Sequence, residues 1–223
     1  MRLLKGKLSN SVDKYGVAKV LVNTAVIFIL LISKSVSADT KGPVILMLGD
    51  SLTAGYGLAQ KDNIPNLLET RLKSYYPNVR VVNGGVSGDT SAGGLSRFDW
   101  LTQSKVDIIV IELGANDGLR GLEPRSTFKN LDEILNRARL AGLKVLFTGM
   151  KAPPNFGDAY GTEFNNIFPV LAEKHNVMFY PFFLEGVVAN KDLNQADGIH
   201  PNEIGVNVIV ENLLPFILRL AIQ

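Results

Sequence analysis

The sequence predicts an α/β fold in three layers, a five-stranded parallel sheet between helices. Two observations predict it. From Pro43 onward, five short β-rich runs alternate with helical patterns, and strands separated by helices pair in parallel through right-handed crossovers with helices on both faces. The runs are also apolar through much of their length, as strands covered on both faces must be.

Val44 to Leu48 is a continuous apolar strand. Asn63 offers an N-cap with Pro65 in the first turn, and a helix runs from there to about Tyr75. Val79 to Val82 is the second strand, and a Gly/Ser-rich turn, Asn83 to Gly94, leads into a helical stretch through Gln103. Asp107 to Leu113 is the third strand, read as buried because five of its seven residues are apolar. Pro124 to Leu140 places Phe128, Leu131, Ile134, Leu135 and Ala138 on one helical face, and Gly142 closes that helix. Lys144 to Thr148 is strand four. A Pro/Gly loop, Lys151 to Tyr160, and a helix to about Lys174 precede strand five at Val177 to Tyr180. A long loop from Pro181 to Asp197 then ends at a helix of roughly Asn202 to Leu220. A parallel sheet of this kind holds its site just beyond the carboxyl ends of its strands.

Composition removes several functions. The 223 residues include no cysteine, which excludes a thiolate nucleophile, a Cys-ligated zinc and a lipidated cysteine. Only His175 and His200 can supply an imidazole, so a metal centre built on several histidines is hard to assemble. Residues 1–38 have a basic stretch (Lys5, Lys7, Lys14, Lys19), an apolar run from Val20 to Ile32, and Val36 and Ala38 before Asp39. That is the pattern of a signal peptide, with a catalytic domain in residues 39–223 and export to the periplasm or medium; a retained anchor is the second reading. The segment holds six Lys/Arg and one acid, so the remainder of a chain with net charge +2 carries three more acids than bases. No nucleic-acid partner is expected of such a surface.

Four segments carry chemistry, three of them directly after strands one, two and three. In Gly49-Asp50-Ser51, a serine at the start of a helix is exposed and faces backbone N–H groups, as a nucleophile requires; a helix cap or phosphate-binding turn is the plainer reading. In Asn83 to Thr90, Gly88 can turn its N–H into an open site, although the segment alone reads as a flexible turn. In Glu112 to Gly118, the Asn116 amide can donate to an oxyanion, or simply form a turn. In Asp197-Gly-Ile-His200-Pro201, a spacing of three lets the carboxylate accept the imidazole Nδ1–H while Nε2 faces outward. His175, ending a helix, reads as structural. Asp50 and Asp117 read as turn or cap residues that support the site.

In order and spacing together, the four segments resemble the signature blocks of the SGNH (GDSL) hydrolases, over about residue 43 to the C-terminus. The wording Gly-Asp-Ser-Leu, Ser-Gly-Asp-Thr-Ser, Glu-Leu-Gly-x-Asn-Asp-Gly-Leu-Arg-Gly and Asp-Gly-Ile-His-Pro is similar to the bacterial periplasmic thioesterase I, protease I, lysophospholipase and arylesterase group. Ala115 departs from that group, which usually has glycine there. The resemblance implies a flavodoxin-like sheet, no cofactor and no metal. It also implies a serine esterase or thioesterase with Ser51 as nucleophile, His200 as base and Asp197 as its orienting acid. Ser51 N–H, Gly88 N–H and Asn116 would form the oxyanion hole.

Tyr56, Leu119, Leu122, Pro153 and Phe156, with residues just before Asp197, are expected to rim the substrate site. Their apolar character favours an acyl chain or aryl ester, and peripheral contact with lipid, over a sugar. The loop Asp117 to Leu122, Gly-flanked, is a candidate for movement over the acyl group. A carbohydrate esterase of the same superfamily and a non-catalytic flavodoxin-like binding module are the competing readings. The oligomeric state has no signal in the sequence.

Overall fold

Helices cover both faces of a sheet ordered β2-β1-β3-β4-β5, every pair parallel. The strands are β1 (Val44–Gly49), β2 (Arg80–Gly85), β3 (Ile108–Glu112), β4 (Lys144–Thr148) and β5 (Met178–Tyr180). This architecture comes from a computed structural model that describes residues 42–222; the expected signal peptide, residues 1–38, lies outside them. The helices are α1 (Ser51–Ala54), α2 (Ile64–Leu72), α3 (Ser91–Leu101), α4 (Ala115–Leu119), α5 (Pro124–Leu140), α6 (Asp158–His175) and α7 (Glu203–Ile222). α2 and α7 pack together on one face, and α3, α5 and α6 on the other.

The central strands justify the expectation of a covered sheet. Every residue of β3 is buried, as are Ile45 to Gly49 of β1. On α5, Leu131, Ile134, Leu135 and Ala138 are buried and Phe128 is partly buried against the core. A fully buried Leu or Ile of this kind contributes about 1.5–3 kcal/mol. α7 is long and apolar enough to cross a membrane by composition, but Val206, Ile209, Val210, Leu213 and Ile217 along it are buried in the core. Asn202 caps its start, accepting from the N–H groups of Ile204 and Gly205 at 2.9 and 3.0 Å.

Local boundaries differ from the sequence reading for identifiable reasons. α2 stops at Leu72 rather than about Tyr75, and the N–H groups of both Tyr75 and Tyr76 turn back to the Leu72 carbonyl, at 2.9 and 2.8 Å, closing the helix in a turn. β2 runs on through Gly84 and Gly85, which pair with Leu48 and Gly49 instead of opening the turn. The glycine at 85 is needed for close approach: a Cβ there would lie 2.3 Å from the backbone nitrogen of Ala54 in α1. Ala115–Leu119, read as turn and loop, forms the short helix α4.

The chain leaves β1 for β2 on one side, then crosses to β3 on the other. The switch point is therefore between β1 and β3, and the segments that follow them, Asp50-Ser51 and Gly114 to Asn116, meet there.

Candidate active site

α1 begins at the switch point, and Ser51 is its first residue. Asp50 caps it: the carboxylate accepts the N–H of Leu52 at 3.0 Å through Oδ1 and the side-chain amide of Asn116 at 3.0 Å through Oδ2. Beneath this turn lies Glu112, the last residue of β3. Its Oε2 accepts the Thr53 hydroxyl at 2.7 Å and the Asp50 N–H at 3.3 Å. Both carboxyl groups are fully buried. Burial, opposed by the hydrogen bonds from Leu52 and Asn116, pushes the Asp50 carboxyl up to about 6. Burial, reinforced by Asp50, raises the Glu112 carboxyl well above the usual carboxylate range.

The loop before α7 brings the imidazole to the serine. His200 Nε2 is 2.9 Å from Ser51 Oγ, across 149 residues of chain, and His200 Nδ1 is 2.6 Å from Asp197 Oδ2. Asp197 Oδ1 accepts the backbone N–H groups of Ile199 and His200 at 2.9 and 3.0 Å. These donors, the His200 N–H first and its ring next, hold the Asp197 carboxyl down to about 2. The carboxylate is thus charged at any working pH, as needed to hold an Nδ1–H tautomer and stabilise an imidazolium.

Gln195 fastens this loop to the serine loop: its Nε2 donates to the carbonyls of Tyr56 at 2.7 Å and Pro201 at 3.0 Å. The Tyr56 ring lies 4.6 Å from the His200 ring. Nothing in the sequence marked Gln195, because a glutamine in a loop has no spacing signature. Glu112 did have a faint one: it is the lone acid in the otherwise apolar run from Ile108 to Leu113.

A cavity of about 670 Å³ opens over this centre, and Ser51, Gly88, Asn116 and His200 all line it. Gly88 sits at φ +86°, in a tight turn closed by the Asp89 N–H to the Val86 carbonyl at 3.0 Å; that φ strains any residue with a Cβ. Asn116 has one amide hydrogen committed to Asp50 and a second to offer. Of the expected rim residues, Tyr56, Leu119 and Pro153 line the cavity, joined by Phe182, Leu184 and Val188 from the loop before Asp197. Leu122 and Phe156 are not among the lining residues. Phe156 instead packs 5.3 Å from Tyr160 at the start of an aromatic file along α6, and the Leu122 carbonyl accepts the Tyr160 hydroxyl at 2.9 Å.

Two other sequence readings find their places. Asp117, in the first turn of α4, is buried and accepts from the Ser91 N–H at 2.8 Å and the Thr127 hydroxyl at 3.0 Å, tying α3 and α5 to the site. His175, the last residue of α6, is 2.7 Å from Asp132 of α5 and is not among the residues lining the cavity at Ser51.

A hydroxyl at a helix start, an imidazole on it, a charged acid behind the imidazole and an apolar cavity above define a serine hydrolase acting on ester bonds. The chain belongs to the GDSL-like lipase/acylhydrolase family, whose model matches residues 47–208. Esterase TesA of Pseudomonas aeruginosa is 40% identical over 188 residues, covering 84% of this chain and 92% of that protein. Thioesterase 1/protease 1/lysophospholipase L1 of Escherichia coli (strain K12) is 39% identical over 175 residues, covering 78% and 81%. The crystal structure of the psychrotrophic esterase EstA from Pseudoalteromonas sp., inhibited by monoethylphosphonate, aligns with a TM-score of 0.76 at 32% identity, covering 82% of this chain and 100% of that one.

Proposed function

We propose that this chain hydrolyses fatty acyl thioesters, lysophospholipids and aryl esters through an acyl-enzyme on Ser51. The observation that carries the reading is the 2.9 Å approach of His200 Nε2 to Ser51 Oγ at the floor of a largely apolar cavity. In the first half-reaction Ser51 Oγ attacks the carbonyl carbon while its proton passes to His200 Nε2. The oxyanion is held by the N–H groups of Ser51 and Gly88 and by the free amide hydrogen of Asn116. His200 then gives the proton to the departing alcohol or thiol, and water repeats the cycle to release the acid. Asp197 stays ionised throughout and orients the ring.

The apolar lining favours an acyl chain over a sugar, and the names of the two relatives point to the same substrates. Tyr56, Leu119, Val188 and Ile199 both line the cavity and stand exposed at it, which suits peripheral contact with lipid while a single acyl chain is drawn in. Export after removal of residues 1–38 is part of the same reading.

The test is turnover of p-nitrophenyl esters across acyl lengths, with wild type and Ser51→Ala, alongside labelling by a fluorophosphonate. Wild type should label stoichiometrically and turn over medium and long chains best. Ser51→Ala should do neither, and its retained turnover at the wild-type rate sinks the acyl-enzyme.

A further inference from the structure

The Gly88 N–H can stabilise an oxyanion only if its turn is held in one orientation relative to Ser51, since misplacement of about 1 Å can cost a hundredfold in rate. That turn lies between the end of β2 and the start of α3, and its own hydrogen bond does not fix where it sits against β1. The Val86 N–H ties the first residue of the turn to the Gly49 carbonyl, and one side chain braces the rest. Arg97, on α3, donates from Nε and Nη2 to Asp89 Oδ2, with distances of 2.8 and 2.7 Å. Its Nη1 donates to the Gly84 carbonyl at 2.9 Å, and Nη2 also reaches the Gly49 carbonyl at 3.3 Å.

The three acceptors are informative. Asp89 follows Gly88 directly. Gly84 lies in β2, just ahead of the turn. Gly49 is two residues before Ser51, and its carbonyl also accepts the Val86 N–H at 3.1 Å. One guanidinium therefore holds both sides of the Gly88 turn and the end of β1, two residues before the serine. Only a planar fork with five donors can do this from a single side chain; an ammonium on a flexible stem cannot reach all three acceptors at once. The side chains of Arg97 and Asp89 are 21% and 19% exposed, so water competes weakly for the pair. Arg97 is not among the residues lining the cavity, so it is placed to act on the site without touching substrate. On the opposite side, Arg120 adds a single exposed bond to the Gly88 carbonyl at 2.8 Å.

We infer that Arg97, acting through Asp89, is a positioning residue that sets the Gly88 N–H in register with Ser51. This rests on the proposed roles of Ser51 and Gly88. The test uses Arg97→Met, Arg97→Lys and Asp89→Asn in the full chain. Working sites are counted by saturating fluorophosphonate titration, and kcat, KM, affinity for an alkyl boronate and Tm are measured for each. In Arg97→Met and Asp89→Asn, kcat per titrated site should fall about 10- to 100-fold with KM little changed. Boronate affinity should fall in parallel, because the boronate presents a tetrahedral oxyanion. Arg97→Lys should recover part of the loss. If kcat per site and boronate affinity stay at wild-type values while only Tm falls, the pair is merely structural and the inference is overturned. Should Arg97→Met fail to fold, Arg97→Lys and Asp89→Asn, which preserve bulk, decide by the same criteria. Full turnover in Ser51→Ala would instead strike the acyl-enzyme reading beneath it.

Discussion

Two aspartates flank the proposed nucleophile and base, and the structure treats them oppositely. Asp50, next to Ser51, is fully buried, and its carboxyl is raised to about 6. Asp197, behind His200, sits in a partly exposed loop and is lowered to about 2. Residue type is the same; burial and the number of N–H donors differ. The N–H groups of Ile199 and His200 and the imidazole all converge on Asp197, which makes it a permanent anion suited to face an imidazolium. Asp50 receives only Leu52 and Asn116 while desolvated and close to the buried Glu112, which suits a cap and an orienter of Asn116.

The sharpest way to break this comparison is at Asp197. Asp197→Asn leaves the ring without an anion and favours the wrong tautomer, so kcat should fall about a thousandfold or more at neutral pH. Steady-state kinetics on one aryl ester suffice, and a loss under tenfold would mean that the permanent anion is not what this loop supplies. Next in size is Asn116→Ala, which removes the amide that Asp50 orients. The expected loss is about 100- to 1000-fold in kcat, as for one oxyanion donor, with KM nearly unchanged. A defect confined to KM would reassign Asn116 to substrate binding.

The smallest effect concerns stability. Because the Asp50 carboxyl is raised from 3.8 to about 6, the folded state binds this proton more tightly than the unfolded chain does. Its stabilising contribution is complete below 3.8 and declines as pH rises from there to about 6. Asp197 runs the other way: its contribution is present above 3.8 and is lost as pH falls through about 2. Thermal unfolding of wild type and Asp50→Asn between pH 4 and 7 should therefore show the variant gaining Tm relative to wild type as pH rises. Parallel curves would remove the pKa contrast from which the two roles were argued.

Much of this was legible in the residues themselves. Parallel strands covered on both faces need apolar runs, and β1 and β3 are such runs; a helix packed on a sheet needs one apolar stripe, and Leu131 to Ala138 on α5 supply it. The short-range chemistry was legible for the same reason. Asp197 and His200 are three residues apart, so their pairing is a property of one turn. Leu122 and Phe156 lie outside the residues lining the cavity: an exposed apolar residue on a loop carries no information about which neighbour it will pack on, and the Phe156 ring lies 5.3 Å from that of Tyr160.

Periodicity and turn chemistry are local, so the chain alone determined the alternation of strands and helices, the capped turn at Ser51 and the acid–imidazole pair. Hydrogen bonds and desolvation act through space, so only the tertiary structure decided the rest. Packing put Glu112 beneath Asp50, let Gln195 reach across to the Tyr56 carbonyl, and gathered Gly49, Gly84 and Asp89 around one guanidinium. Which carboxyl is raised and which is lowered follows from that packing, since a carboxyl's proton affinity is set by the water it loses and the donors it gains.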